Sequence, residues 1–574
     1  MKSLLKYLKE YKSECFFAPF FKLLEACFDL LVPIVVKSII DVGIHNGDNK
    51  YVIQRCLILV CLGIVGLLCS VTAQYFAARA AVGSVTKMRH SLFSHLQQLS
   101  YTETDSIGTS SMITRMTSDI NQVQTGINMT LRLFLRSPII VFGAMIMAFV
   151  INRSVAWVFA VLIAVLSVIV FSIILAGIPL YKKVQSRLDK VTKVTRENLS
   201  GTRVVRAFNM ENREISEFSE ANKSHTEIQK FTGRITALMN PLTYVCVNLG
   251  IIVLIYVAAP HVDKGNMSQG DLVAMYNYMT QILVELVKLA NTIFTVTKAV
   301  ACTNRIEAVL KIPGGMDSDK PICKCSVYID NEKTAVEFSH VYMEYRGAGD
   351  SALTDISLKA ERGMTVGIIG GTGCGKSTLI NMIPRFYDAT SGEVRVFGRN
   401  VKEYDTDRLR SMVGIVPQKA VLFKGSVRSN LSWGRQGATD EEMWHALELA
   451  QAKDFVEQKE GGLDAEVKQG GANFSGGQRQ RLCIARALVS RAPILIFDDS
   501  SSALDFATDA KLRHALSSLD YSPTVFIISQ RTASICHADL IAVLDDGEIV
   551  GMGTHEELLE SCDVYREIYS SQYT

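Results

Sequence analysis

Asp498 and Asp499 follow directly on the apolar run Ile494–Phe497. An apolar strand ending in aspartate suits Mg2+, a hard cation that takes oxygen donors. Earlier in the chain Gly370, Gly375, Lys376 and Ser377 fill the pattern G-x-x-x-x-G-K-[ST]. Its glycines, Gly370, Gly371, Gly373 and Gly375, let backbone N–H groups wrap phosphates. Thr372, Cys374 and Thr378 complete the stretch. Lys376 is expected to reach the β- and γ-phosphates, and Ser377 to ligate Mg2+. The chemistry implied is binding of ATP with Mg2+. In many ATPases a glutamate that activates water follows the strand aspartate. Here that position is Asp499, one methylene shorter.

The stretch "GMTVGIIGGTGCGKSTLINMI" supplies the strand, loop and helix that such a loop needs. From Ala335 onward short strands, turns and helices alternate, which predicts an α/β P-loop ATPase domain over 334–574. The first part of the chain is different. Of 574 residues, 48% are hydrophobic and 20% charged, and the apolar runs concentrate before residue 310. Six stretches approach the ~20 apolar residues of a membrane helix: Phe16–Ile40, Val52–Ala78, Leu131–Ile151, Val155–Leu180, Leu242–Ala259 and Leu272–Phe294. The fold class is therefore a membrane α-helical bundle over 1–310, a linker over 311–333, and the ATPase domain. A net charge of +3 does not suggest a nucleic-acid partner.

Cations sort by side. Lys87, Arg89, Lys182, Lys183, Arg187, Arg196, Arg203 and Arg206 fall in the loops after even-numbered helices, whereas Lys50, Arg153 and Lys264 stand almost alone on the other side. The richer side is expected to be cytoplasmic, with both termini and the ATPase domain. Met1–Lys12 places Leu4, Leu5 and Leu8 on one helical face among lysines. It is expected to lie in the membrane interface rather than to be a cleaved signal. The two long polar stretches between membrane helices keep helical periodicity, so the helices are expected to run on past the bilayer and turn back. The thirteen cysteines are scattered and read as unpaired, and Cys323 with Cys325 lacks the second ligand pair of a metal site.

Through "NFSGGQRQRLCIARAL" and "ILIFDDSSSALD" the chain resembles the ATP-binding cassette (ABC) family, and its membrane half a type IV exporter. The resemblance assigns Ser475, Gly476, Gly477 and Gln478 to the signature motif. It makes Asp498 the Walker B aspartate, Gln418 the glutamine loop, Ser502–Asp505 the D-loop, Tyr345 the adenine-stacking aromatic and Glu466 the X-loop glutamate. Ser377, Gln418 and Asp498 become the Mg2+ ligands. In that family two cassettes pair head to tail, and each ATP lies between the Walker motifs of one and the signature of the other. A second half-transporter is therefore implied as partner, beside the lipid bilayer and a small amphipathic substrate.

Two positions depart from the family pattern. Asp499 stands where the catalytic glutamate belongs, and Gln530 where the switch histidine belongs. Asp499 draws the carboxylate back by about one C–C bond, ~1.5 Å, and a glutamine side chain cannot shuttle a proton. The pattern resembles the degenerate-site subunit of heterodimeric bacterial multidrug exporters. A homodimer in which Asp499 suffices, a lipid or peptide exporter, a siderophore-type importer and a regulatory ATP-binding subunit are the alternatives. Cys374 lies in the phosphate loop, so its alkylation is expected to block ATP binding. Within the bundle, Lys22, Glu25 and Asp29 share a helix face, Glu285 and Lys288 lie on the sixth helix, and Arg132 and Arg136 begin the third, where they are expected near the cytoplasmic interface. They either line a cavity for cationic substrates or pair with one another.

Overall fold

The computed structural model describes residues 6–314, 333–345, 349–500 and 504–573. The chain divides into two compact units. One holds residues 1–97 and 109–312, the other residues 98–108 and 313–574.

The first unit is helical. Its principal helices are α1 (Lys12–Ser38), α2 (Asn49–Gln98), α3 (Arg136–Ile151), α4 (Arg153–Ser200), α5 (Glu211–Ala237), α6 (Met239–Asp263) and α7 (Gln269–Leu310). At 1.5 Å per residue the 50 residues of α2 extend about 75 Å, more than twice a ~30 Å hydrocarbon layer. The helices do continue beyond their apolar stretches. Five helical segments are long and apolar enough to span: Asn49–Gln98, Thr109–Ile151, Arg153–Ser200, Glu211–Asp263 and Gln269–Leu310. Helix α1 has the length, but Lys22, Glu25, Asp29 and Lys37 make it more polar than these. Residues 6–8 are helical and Lys9–Tyr11 form a separate 3-10 turn before α1, while 1–5 lie outside the described residues.

Packing in this unit inverts that of a soluble helix. On α2 the buried stripe is Ala73, Ala77, Ala80, Ala81 and Ser84, while Leu57, Leu67 and Leu68 face outward. Small residues let helices approach closely, and large apolar residues outside suit a lipid solvent. Ala144 and Ala148 of α3 pack with Phe159 and Leu162 of α4, Leu254 of α6 and Tyr278 of α7.

The cationic and anionic residues of the bundle pair with one another. Arg136 lies 2.6 Å from Glu285, 2.8 Å from Asp29 and 3.8 Å from Glu25. Lys22 reaches Glu25 at 2.5 Å and Ser70 Oγ at 2.9 Å, and Lys288 and Ser137 complete the shell of Glu285. Arg136 is held at this network, joined to α1 and α7. Of the two readings open from sequence, pairing is the one observed for Glu285, which is 4% exposed.

The second unit is α/β. Strands β1 (Thr334–Glu344), β2 (Ser351–Glu361), β4 (Ser391–Val396) and β5 (Arg399–Asn400) form an antiparallel sheet in the order β2-β1-β4-β5. Strands β3 (Thr365–Gly370), β6 (Val413–Val416), β9 (Ile494–Asp498), β10 (Thr524–Ile528), β11 (Leu540–Asp545) and β12 (Glu548–Gly553) form the second, ordered β12-β11-β3-β10-β9-β6. All neighbours there are parallel except β11 and β12. A short antiparallel pair, β7 (Gly425–Ser426) and β8 (Glu466–Val467), lies apart from both. The helices used below are α8 (Lys376–Asn381), α9 (Gly476–Val489), α10 (Phe506–Ser517) and α11 (Asp563–Tyr573). Near-continuous apolar strands such as β9, buried from Ile494 to Phe497, mark a sheet covered on both faces.

Residues 98–108 belong to this second unit although they come from the loop after α2. Ser100 caps the short helix Tyr101–Ile107 through a reciprocal bond with Glu103. The Tyr101 ring lies 4.6 Å from that of Phe386, and the Tyr387 hydroxyl donates to Asp105 at 2.9 Å.

Candidate functional site

The parallel sheet assembles the site. Strands β3, β10, β9 and β6 are adjacent, and each releases one sequence-predicted group from its C-terminal end. From β3 comes the phosphate loop, from β10 Gln530, from β9 Asp498 with Asp499, and from β6 Gln418. Ligands of open α/β sheets bind at that edge.

Within the loop, backbone shape demands glycine at defined points. Gly373 and Gly375 have φ of 89° and 96°, where a side chain would be strained. A Cβ on Gly375 would fall 2.6 Å from the Ala352 carbonyl oxygen, whereas one on Gly371 or Gly373 would meet nothing within 4 Å. That open side is where backbone N–H groups can receive an anion. The Lys376 ammonium is buried and donates to the carbonyls of Gly370 (2.9 Å) and Gly371 (2.5 Å). Among the described residues no carboxylate lies within ion-pair distance of it. A buried cation held by carbonyls at the N-terminus of α8 fits a phosphate. Cys374 is buried, with its Sγ 3.5 Å from Lys376 Nζ. The alkylation expected to block ATP binding would have to reach a shielded thiol.

Two of the three expected Mg2+ donors, Ser377 and Asp498, meet across the loop. Ser377 Oγ donates to Asp498 Oδ1 at 3.1 Å. Burial pushes the Asp498 carboxyl above the ordinary range, opposed by that bond, and Asp499 beside it pushes the same way. A divalent cation would relieve this, and hydroxyl plus carboxylate are the hard oxygens it prefers.

Asp499 takes a left-handed backbone, φ 44°, with its N–H donating to the Ile528 carbonyl at 3.0 Å. Aspartate tolerates this conformation better than most residues. Gln418 Nε2 donates to Asp499 Oδ2 at 3.4 Å, so these two sequence-predicted residues touch. Burial raises the Asp499 carboxyl as well, against that bond and the positive charges of Lys376 and Arg531. The Tyr345 hydroxyl bonds Thr378 Oγ1 at 2.8 Å, which brings this aromatic to the phosphate loop.

The signature residues stand elsewhere. Ser475 caps α9 in a reciprocal pair with Gln478, and Ser475 and Gly476 are exposed. A Cβ on Gly476 would meet nothing within 4 Å. Among the described residues no hydrogen bond or ion pair joins Ser475–Gln478 to the phosphate loop or to Asp498. Asn473 ties this segment to Glu466, donating to the Glu466 carbonyl at 2.7 Å and accepting from Lys468 N–H at 3.0 Å. Asp505 caps α10, while residues 502 and 503 of the D-loop and residues 315–332 of the linker, with Cys323 and Cys325, lie outside the described residues.

The family resemblance implies that the two long loops end in helices resting on the nucleotide domains, but sequence reasoning did not place one at Tyr101–Ile107, and it missed the Asn473 bridge. The box Ser100-x-x-Glu103 could have found the first. Nothing in the spacing announces the second, which joins residues across a turn.

Two family models match the chain. That of the ABC transporter transmembrane region covers residues 15–286, and that of the ABC transporter covers residues 353–502. An uncharacterized ABC transporter ATP-binding protein of Mycobacterium bovis is 37% identical, covering 99% of this chain and 97% of that protein. An ATP-dependent lipid A-core flippase of Hahella chejuensis is 32% identical over 90% of this chain and 88% of that one. The solved structure of a bacterial Atm1-family ABC exporter with ATP bound superposes with a TM-score of 0.81. It has 23% identity and covers 98% of each chain. This chain belongs to the ABC transporter family and has the exporter fold, with one membrane region and one ATP-binding region.

Proposed function

We propose that this ABC exporter half is one subunit of a heterodimer that moves amphipathic small molecules, drug-like or peptide, out of the cytoplasm. Its own Walker site holds ATP and hydrolyses it poorly, while its signature motif completes the partner's competent site. One observation carries this reading: phosphate loop and Mg2+ donors are assembled, while both departures, Asp499 and Gln530, leave strand ends beside them. Lys376, Ser377 and Asp498 would hold Mg-ATP, and Tyr345 would stack on the base. Bound Mg2+ would neutralise phosphate charge. Gln418 and Asp499 would orient water, and Asp499 sits about 1.5 Å short of a glutamate's reach, a displacement worth on the order of 10²-fold in rate.

The need for a partner has independent support. The short helix Thr202–Ala207, at the turn between α4 and α5, leaves Val204 exposed, and Leu199 and Phe208 beside it are 75% and 70% exposed. A groove of about 380 Å³ opens there among Leu199, Val205, Ile215 and Phe218. The corresponding helix of the other loop, Tyr101–Ile107, sits on Phe386 and Tyr387. The uncovered face suits the nucleotide domain of a second half-transporter. Cation placement supports a cytoplasmic ATPase domain with both termini inside, and the reading places six membrane crossings in a bacterial cytoplasmic membrane. The lipid A-core flippase among its relatives favours lipid as a second cargo class.

The test is to tag the chain in its native host, purify it in mild detergent and identify what accompanies it by mass spectrometry. The expected result is a distinct half-transporter with Glu and His at the aligned positions. Recovery of this chain alone, as a dimer with brisk ATPase activity, would overturn the asymmetric machine.

A further inference from the structure

We propose that Gln572 is a positioning residue for Gln530, and that the C-terminal helix α11 thereby sets how this site distinguishes ATP from ADP. The inference rests on the reading above that Gln530 faces the γ-phosphate. After β10 the chain leaves the sheet, so the peptide groups of Gln530–Thr532 must find partners outside a ladder. Arg531 N–H donates to Ser529 Oγ at 2.9 Å, and one side chain, Gln572, serves the Gln530 carbonyl and Thr532 N–H. Gln572 Nε2 donates to the Gln530 carbonyl at 2.7 Å, and Gln572 Oε1 accepts from Thr532 N–H at 2.9 Å and Thr532 Oγ1 at 3.0 Å. A flipped amide would set NH2 against two donors, so the orientation is fixed by its partners. Thr532 is fully buried, which makes its two donors dependent on that one oxygen.

The helix that carries Gln572 is itself anchored. Tyr565, two turns earlier and on the same face, is fully buried and its hydroxyl bonds His555 Nδ1 at 2.7 Å. The Tyr569 ring lies 5.4 Å from that of His555. On its other flank the segment is held by α10. Arg513 Nη1 donates to the Ala533 carbonyl at 2.9 Å, and the Arg531 guanidinium lies over the Phe506 ring. The bond to the carbonyl of Gln530 itself comes from Gln572. It sets the peptide plane from which the Gln530 side chain departs.

The experiment uses the full chain with its partner in detergent. Azido-ATP labelling of this chain, displaced by ATP or ADP, gives the ratio of the two affinities. Gln572→Ala is expected to lower the preference for ATP about tenfold, as for one lost bond to a charged group, with ADP affinity unchanged. Gln572→Glu keeps an acceptor for Thr532 but turns a carboxylate toward the Gln530 carbonyl. It is expected to cause the same loss with an unchanged melting temperature, which a merely structural role would not produce. If Gln530→Ala lowers the preference and both Gln572 variants leave it intact, the positioning role is overturned and the reading of Gln530 stands. If Gln530→Ala also leaves it intact, both fall.

Discussion

A carboxylate one methylene too short is the most consequential residue in this chain. Asp499 keeps the location of a general base: it follows the Mg2+ aspartate, accepts a bond from Gln418 and is buried enough to hold its proton above the usual carboxylate range. On the proposed reading, distance is what it lacks. Asp499→Glu together with Gln530→His is expected to raise hydrolysis at this chain's own Walker site on the order of 10²-fold or more, read as phosphate release when the partner site is disabled. No gain would mean that the deficit lies elsewhere in the site. These residues were legible because phosphate and Mg2+ chemistry fixes residue types at fixed spacing. Glycine at Gly373 and Gly375, for instance, follows from positive φ and not from this particular protein. The Gln418–Asp499 contact was not legible, because it joins the ends of two strands whose adjacency the sequence does not state.

At the scale of elements, the parallel order β3-β10-β9-β6 turns four distant motifs into one row. Alternating strands and helices announced an α/β domain but not that order. In the bundle, the shared face of Lys22, Glu25 and Asp29 was readable from i, i+3 and i+7 spacing. Their partner was not, since Arg136 stands far along the chain on α3, which begins with that residue. Breaking this network exposes its logic. Arg136→Met takes from buried Glu285 its nearest cation, leaving only Lys288 and Ser137, and is expected to cost up to about 3–5 kcal/mol, seen as a drop in melting temperature in detergent. Adding Glu285→Gln is expected to recover part of that loss. A double variant no better than the single one would show that the pair contributes through packing alone. The same charges explain why α1 is less apolar than the other spanning helices.

For the molecule as a whole, one chain carries one phosphate loop and one signature, each formed and, among the described residues, not bonded to the other. Completion by a second chain is the simplest use of both, and Leu199, Val204 and Phe208 provide an uncovered apolar face for it. The central claim is that this chain's Walker site holds ATP without cleaving it. It is tested most directly by loading the intact transporter with azido-ATP labelled at either the α- or the γ-phosphate. Turnover is then allowed, and the label left on this chain is cross-linked and counted. Equal retention of both labels over many turnovers of the complex is the expected result. Loss of the γ-label at the turnover rate, with the α-label kept, would contradict it and make Asp499 a working base.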